Sequence, residues 1–394
     1  LLSTTFFCKS AQFEQILLAL ASQNIKMRKI YLLSLIVASS ISITSCTKDD
    51  NGGGGNGGGN TSNTDTLFIS LSKDTVELNN FDFVTITVTD SLGNDITSTC
   101  NIILNNSLII SSKYLPTQLG NNNISAEKGN RPSKVKDLFV TSPNPSPFSQ
   151  KVLVEDLTGT WCGYCTRVAY SLSNYKATHP NLISTTIHGG SNSDPFQFKY
   201  YNTFNSTLGI SGYPSVIINR KTEWNESLST LNTALAKWSP LGLAISSTES
   251  GGTITGTVKV KFNVTTDRAM KIVIMLVEND LVYPQTNYYS TIYGETPYLY
   301  GGVSPVTNFV HNGVLRKTAT NLFGDAIPVS QQVKDNEYII PFTMTLSGST
   351  YSGSTYNAIS ANSAIVATVV DASTQNIGSF NSQYAAVGVI QDYN

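Results

Sequence analysis

Charge is scarce in this sequence. Asp, Glu, Lys and Arg make up 13% of its 394 residues, and 25 basic against 26 acidic side chains leave a formal net charge of −1. With neither a basic excess nor a basic stripe there is no long-range attraction for nucleic acid, and that class of partner is excluded. Histidine and cysteine are scarcer still, at three and five. His179, His188 and His311 form no ligand-spaced pair with one another, and a zinc site needs four converging donors. No metal centre and no cofactor are expected. A membrane-spanning run is missing as well: the apolar stretch over 30–43 is too short and too serine-rich for a helix that needs about 20 residues to cross a bilayer. What abounds is Asn, Ser, Thr, Gly and Tyr, a mixture that suits an exported, strand-rich chain.

The stretch over 30–43 follows Met27, Arg28 and Lys29, and the two together have the layout of a signal peptide. It ends at Ile43, Thr44, Ser45 and Cys46, which resembles a bacterial lipobox. That resemblance implies cleavage before Cys46 and acylation of its thiol and new amino group. Several acyl chains hold a protein on a membrane far better than one. Residues 1–26, with Cys8, are then expected to be a non-native upstream extension, 27–45 the signal peptide and 46–65 a Gly/Asn-rich tether that cannot bury a core. Lys48, Asp49 and Asp50 resemble the export signal of Bacteroidota surface lipoproteins, which implies the outer face of the outer membrane.

Three segments follow the tether. Residues 66–142 read as short alternating strands ("LFISL", "FVTITVT", "NIIL", "LII", "DLFV") separated by turns, and they predict a small immunoglobulin-like β-sandwich. Cys100 is expected within its apolar interior. Pro143, Pro145 and Pro147 mark a boundary. Residues 148–239 alternate strand and helix. "KVLVED" is a buried strand; Val168, Leu172 and Tyr175 form one face of a helix over 162–178 that stops before Pro180; "LISTTIH" and "SVIIN" are further strands; "LSTLNTALAKW" is a closing helix. That order predicts an open sheet with helices packed on it. Residues 240–394 return to strands and predict a second, larger β-sandwich. It carries a Tyr-rich insertion over 283–303, too long for a plain connection and expected either to bind something or to pack on a neighbour. The chain as a whole is expected to be multidomain.

Chemistry concentrates in "GTWCGYCTRVAYSL", residues 159–172. Two cysteines three positions apart at a helix start can be a redox dithiol or a structural staple. A helix N-terminus favours thiolate, and a second cysteine one turn on can resolve a mixed disulfide. In the redox reading Cys162 is exposed and attacks, while Cys165 is recessed and resolves. The alternative is a pair that simply stays closed and inert in an oxidising compartment. Arg167 is expected in solvent, and His311 as a packed or solvated side chain.

These residues resemble the thioredoxin fold over about 90 residues: Trp161 before the first cysteine, Asp156 six positions ahead of it, and "GISGYPSVIIN" at 209–219. The resemblance implies that Asp156 is a buried acid serving the resolving thiol, with an inward Glu155 as the alternative. It also implies that Pro214 follows a cis bond beside the dithiol and shapes the substrate groove. Tyr213 is bulkier than that family prefers, the connection after His188 is longer, and the final hairpin is short enough that the sheet could shrink. Signal, dithiol segment and "NFVHNGVLRKTATNLFGD" together resemble the outer-membrane-protein-28-related lipoproteins of Bacteroidota. The expectation is therefore a lipid-anchored, surface-exposed outer-membrane protein. It would exchange disulfides with protein thiols, or else serve as a non-enzymatic binding or adhesion protein with the α/β unit as scaffold. Replacing Cys46 by Ser should move the protein from the membrane fraction to the soluble one; unchanged sedimentation of Cys46→Ser with membranes would defeat the anchor.

Overall fold

The computed structural model describes residues 66–289, 302–372 and 378–393. Cys46, the tether and everything before them lie outside the described residues, as do 290–301 of the Tyr-rich insertion. No described helix is long and apolar enough to cross a membrane. The fold is rich in β-structure, with several sheets and few helices.

The first segment closes two sheets on one core. Phe68–Leu71, Val84–Thr89 and Lys113–Tyr114 form one sheet; Thr75–Glu77, Lys136–Thr141, Gly120–Lys128, Asn101–Leu104 and Ser107–Ile109 run in order across the other. Val84, Ile86 and Val88, alternating along one strand, meet Ile124, Ala126, Leu138 and Val140 from the facing sheet. Cys100 only flanks this core and is half-buried, not enclosed in it.

In the central segment Val152–Thr158 is buried along its whole length, its two carboxyls included. It pairs in parallel with Leu182–His188 and antiparallel with Ser215–Ile218. The last strand, Thr222–Glu223, is only two residues long, so the hairpin is as short as the sequence suggested. Period-2 alternation sorts side chains to two faces. Val152, Val154 and Leu182 meet the helices Cys165–Thr178 and Leu228–Leu235 through Val168, Leu172, Tyr175 and Leu231. On the other face Leu153, Leu157, Ile183 and Ile187 meet the helix Tyr201–Leu208 through Phe204.

The sheet does not stop at the boundary drawn at 239/240. Leu182–His188 continues in parallel into Val314–Thr318, with Thr186 N–H donating to Gly313 O at 2.7 Å. Gly313 is required there: its φ is +67°, and a Cβ would lie 2.5 Å from Ser184 O. From Val314–Thr318 the sheet runs on through Met270–Glu278 and Ser363–Asp371 to Ser379–Ala386. Met270–Glu278 is buried on both sides. Val273, Met275 and Val277 share a core with Leu153 and Leu157, whereas Ile272, Ile274 and Leu276 face the three-stranded sheet of Leu241–Ser250, Thr253–Phe262 and Glu337–Thr345.

In the core shared by Leu153, Leu157 and Met275 lies an ion pair with no solvent contact. Glu155 Oε1 accepts from Arg220 Nε at 3.0 Å and Nη2 at 2.9 Å, and both side chains are 0% exposed. Arg220 also donates to Leu322 O at 3.2 Å and lies against Phe204 and Phe323. Burial raises the Glu155 carboxyl pKa and the guanidinium opposes that rise. Removing one member of such a pair strands the other charge. Arg220→Met should therefore cost about 3–5 kcal/mol of unfolding free energy, and the Glu155→Leu/Arg220→Met double variant should recover most of it. Guanidinium denaturation of both variants decides this.

Candidate functional site: a recessed disulfide above a polar cavity

Thr160, at the exit of the central strand, is held by Asp194: its N–H donates to Oδ2 at 2.7 Å. Cys162 N–H then turns back to Gly159 O at 2.9 Å, and Cys165 N–H to Cys162 O at 3.2 Å. The helix itself spans Cys165–Thr178. The start expected at Cys162 is thus three residues too early, because Gly163 and Tyr164 form a turn. Cys165 holds the first helical position, and a disulfide (S–S 2.02 Å) brings the Cys162 sulfur to the same helix end.

Cys162 is not exposed as expected. It is 4% and Cys165 2% accessible. The cover comes from the described part of the Tyr-rich insertion, residues 285–289. Thr286 N–H donates to Thr160 O at 2.8 Å and Tyr288 N–H to Gly163 O at 3.0 Å. Gln285 Nε2 reaches Cys162 O at 2.8 Å and Gly159 O at 3.1 Å. Of the two expectations for the insertion, packing on a neighbour is what these residues do. Arg167 is not free in solvent either: it is tied to Glu226 and to the Tyr289 hydroxyl, which consumes its charge locally.

Asp156 and Glu155 are both buried, on opposite faces of one strand. Glu155 is paired with Arg220 through Oε1, its Oε2 having no hydrogen-bond partner; Asp156 has no such ion pair. Its Oδ1 makes no hydrogen bond, and burial alone pushes its carboxyl up to about 7. Asp156 and Cys165 line one cavity of about 520 Å³ between the dithiol helix and the sheet.

His188 lines the same cavity. Its strand register puts it opposite Thr158, on the face of Asp156. Its Nδ1 donates to Asp194 Oδ2 at 2.9 Å, which leaves Nε2 without a partner. Burial alone would raise the Asp194 carboxyl, but His188 and the Thr160 and Phe196 N–H groups outweigh it and hold Asp194 low, as a carboxylate. His311 is packed: its Nε2 donates to Tyr283 O at 3.2 Å, and burial followed by His188 holds it at about 4, neutral at pH 7. The Tyr213–Pro214 bond is cis. Tyr213 stacks edge-on against Trp161 at 5.5 Å, which places Pro214 beside the dithiol loop. His188, Asp194 and Arg220 escaped sequence reasoning, and Gln285, Thr286 and Tyr288 were reached only as part of the insertion, without individual roles. Only His188, the last residue of a predicted strand, carried a signal that could have found it.

Comparison with known proteins reaches part of this site. Residues 201–391 match the family described as Outer membrane protein Omp28. Over these residues, just under half of its length, the chain is similar to the Omp28 family. The outer-membrane location expected from the sequence is the one that family carries. The match takes in Pro214 and the 285–288 segment and leaves out Asp156, Cys162 and Cys165. Among solved structures, HBP35 of Porphyromonas gingivalis is similar at 17% identity and a TM-score of 0.45, over 61% of this chain and 76% of that one. A domain of the outer membrane lipoprotein Omp28 of the same organism is similar at 16% identity and a TM-score of 0.23, over 38% of this chain and 89% of that one. No curated protein matches the chain.

The raised Asp156 pKa has a thermodynamic signature. An unfolded Asp titrates near 3.9, so between about 4 and 7 the folded state binds more protons and stability falls as pH rises, at up to about 1.4 kcal/mol per unit. Asp156→Asn removes that penalty. The variant should exceed the parent in stability by about 2–4 kcal/mol at pH 8, with the gain fading towards pH 4. Urea melts across that range measure it.

Proposed function

We propose that the chain is an outer-membrane lipoprotein, acylated at Cys46 and facing outward, whose segment 148–239 is a thioredoxin-like unit performing thiol–disulfide exchange on protein thiols. The observation that carries this reading is the Cys162–Cys165 disulfide set over Asp156, a buried, unpartnered acid that shares a cavity with Cys165.

The arrangement suits both directions of exchange. A client thiolate attacks the Cys162 sulfur; the Cys162–Cys165 bond breaks, a mixed disulfide forms, and Cys165 leaves as a thiolate that takes the Asp156 proton. In reverse, the Asp156 carboxylate accepts the Cys165 proton as that sulfur attacks Cys162 and releases the client. An acid near pKa 7 serves either step at neutral pH. The helix start at Cys165 stabilises thiolate on both sulfurs. In this reading Tyr213, packed on Trp161, and Pro214 shape the substrate groove. The competing reading, a surface binding protein with the α/β unit as scaffold, draws support from the recessed position of Cys162.

Replacing the resolver discriminates between the two. Cys165→Ser should trap mixed disulfides between Cys162 and client proteins in an intact envelope, and reduced Cys162 should be alkylated by iodoacetamide well below the free-thiol pKa of about 8.5. If Cys162 titrates like a free thiol and Cys165→Ser captures nothing, the scaffold reading takes its place.

A further inference from the structure

The disulfide sits at the foot of a rim of aromatic rings. Trp161, Tyr164 and Tyr288 are 37%, 39% and 46% exposed around cysteines that are 4% and 2% exposed. The rim is built rigidly. Tyr288 lies so close over Gly163 that a Cβ there would be 2.2 Å from its ring, and Tyr164 is wedged between Tyr288 at 5.1 Å and Tyr289 at 5.8 Å. On the other side the Trp161 indole donates to Gly189 O at 2.9 Å. Below the rim, residues 285–288 engage four carbonyls of the loop, those of Gly159, Thr160, Cys162 and Gly163.

Disulfide exchange needs a thiolate to reach one sulfur end-on. Cys165 faces the interior cavity, so the approach must be to Cys162, down through the rim. A folded protein that carries its cysteine on a broad surface meets the three rings first. A small thiol, or a cysteine on an extended chain, does not.

Resting on the exchange reading above, we propose that residues 285–288, with Trp161 and Tyr164, are a substrate filter. They admit thiols borne by small molecules or extended polypeptide and exclude cysteines set in folded surfaces. In the admitted reaction the incoming thiolate forms a mixed disulfide with Cys162 and displaces Cys165 as a thiolate. The filter changes only which thiolates arrive.

The test times the reduction of the oxidised full chain by three probes: dithiothreitol, an unstructured Cys-x-x-Cys peptide and a reduced, folded thioredoxin. Dithiothreitol and the peptide should react at similar rates per thiolate, and the folded protein at least about tenfold more slowly. Gln285→Ala and Tyr288→Ala should each raise the ratio of folded-protein to dithiothreitol rate by about tenfold, the rate equivalent of one buried hydrogen bond. A second readout needs no variant. Once reduced, wild-type Cys162 should take iodoacetamide readily and a polyethylene-glycol maleimide slowly. Equal rates for dithiothreitol and folded thioredoxin, or equal labelling by the two alkylators, would overturn the filter. Trapping by Cys165→Ser is read separately: captured clients with no size discrimination sink the filter alone, whereas size discrimination with no captured client sinks the exchange reading.

Discussion

The whole site depends on one seam in the main sheet, where Thr186 of the central segment meets Gly313 and Val314 of the C-terminal segment. It is a narrow junction, a single parallel pairing, yet it makes Met270–Glu278 a strand shared by two cores. The segment laid over the dithiol loop from outside the central segment hangs from that strand. The chain leaves it at Glu278, passes through Leu281–Val282, and only then lays 285–288 along the loop that contains Cys162. A free-standing α/β unit would expose Cys162; joined through the seam, it is clad by its neighbour. Gly313 permits the approach, since any side chain would strike Ser184 O.

Glu155 and Asp156 are adjacent carboxyls with opposite fates, and only strand alternation separates them. The face of Glu155 looks into the shared core, where Arg220 supplies charge and two hydrogen bonds. Asp156 looks toward the dithiol helix and meets no cation. Ordinary burial therefore produces a structural ion pair on one side and a carboxyl raised to about 7 on the other. Its neighbour His188 completes a cavity wall on which two polar atoms remain unpartnered.

Much of this was legible in the sequence. "KVLVED" announces a strand buried on both faces, Val168, Leu172 and Tyr175 lie on the buried side of their helix, and the short run after Asn219 yields a two-residue strand. What escaped has physical reasons. Gly120–Lys128 opens with three consecutive asparagines and turns only Ile124 and Ala126 into the core, so it carries too little apolar signal to be read as a strand. The seam joins residues far apart in the chain through one parallel pairing, which no local pattern encodes. The exposure of Cys162 was misjudged because local sequence sets the turn but not what packs on it. Gln285 lies in a stretch of Asn, Thr and Tyr whose composition suggests a surface loop.

The two sides of the disulfide divide the work that exchange requires. In the proposed exchange, substrate would come from the rim, past Trp161, Tyr164 and Tyr288, and protons from the cavity lined by Asp156 and His188. Gln285 borders both, since it lines the cavity and its side-chain amide holds the carbonyls of Gly159 and Cys162. A loop held from behind in this way keeps bulk solvent off Cys162 and, in the proposed exchange, would leave Cys165 beside its proton source. That division also makes sense of the family match. The segment that encloses the site falls within residues 201–391, whereas the cysteines and Asp156 precede it. In the proposed exchange the central segment supplies the reacting sulfurs and the acid, and the Omp28 segment decides which thiols meet them.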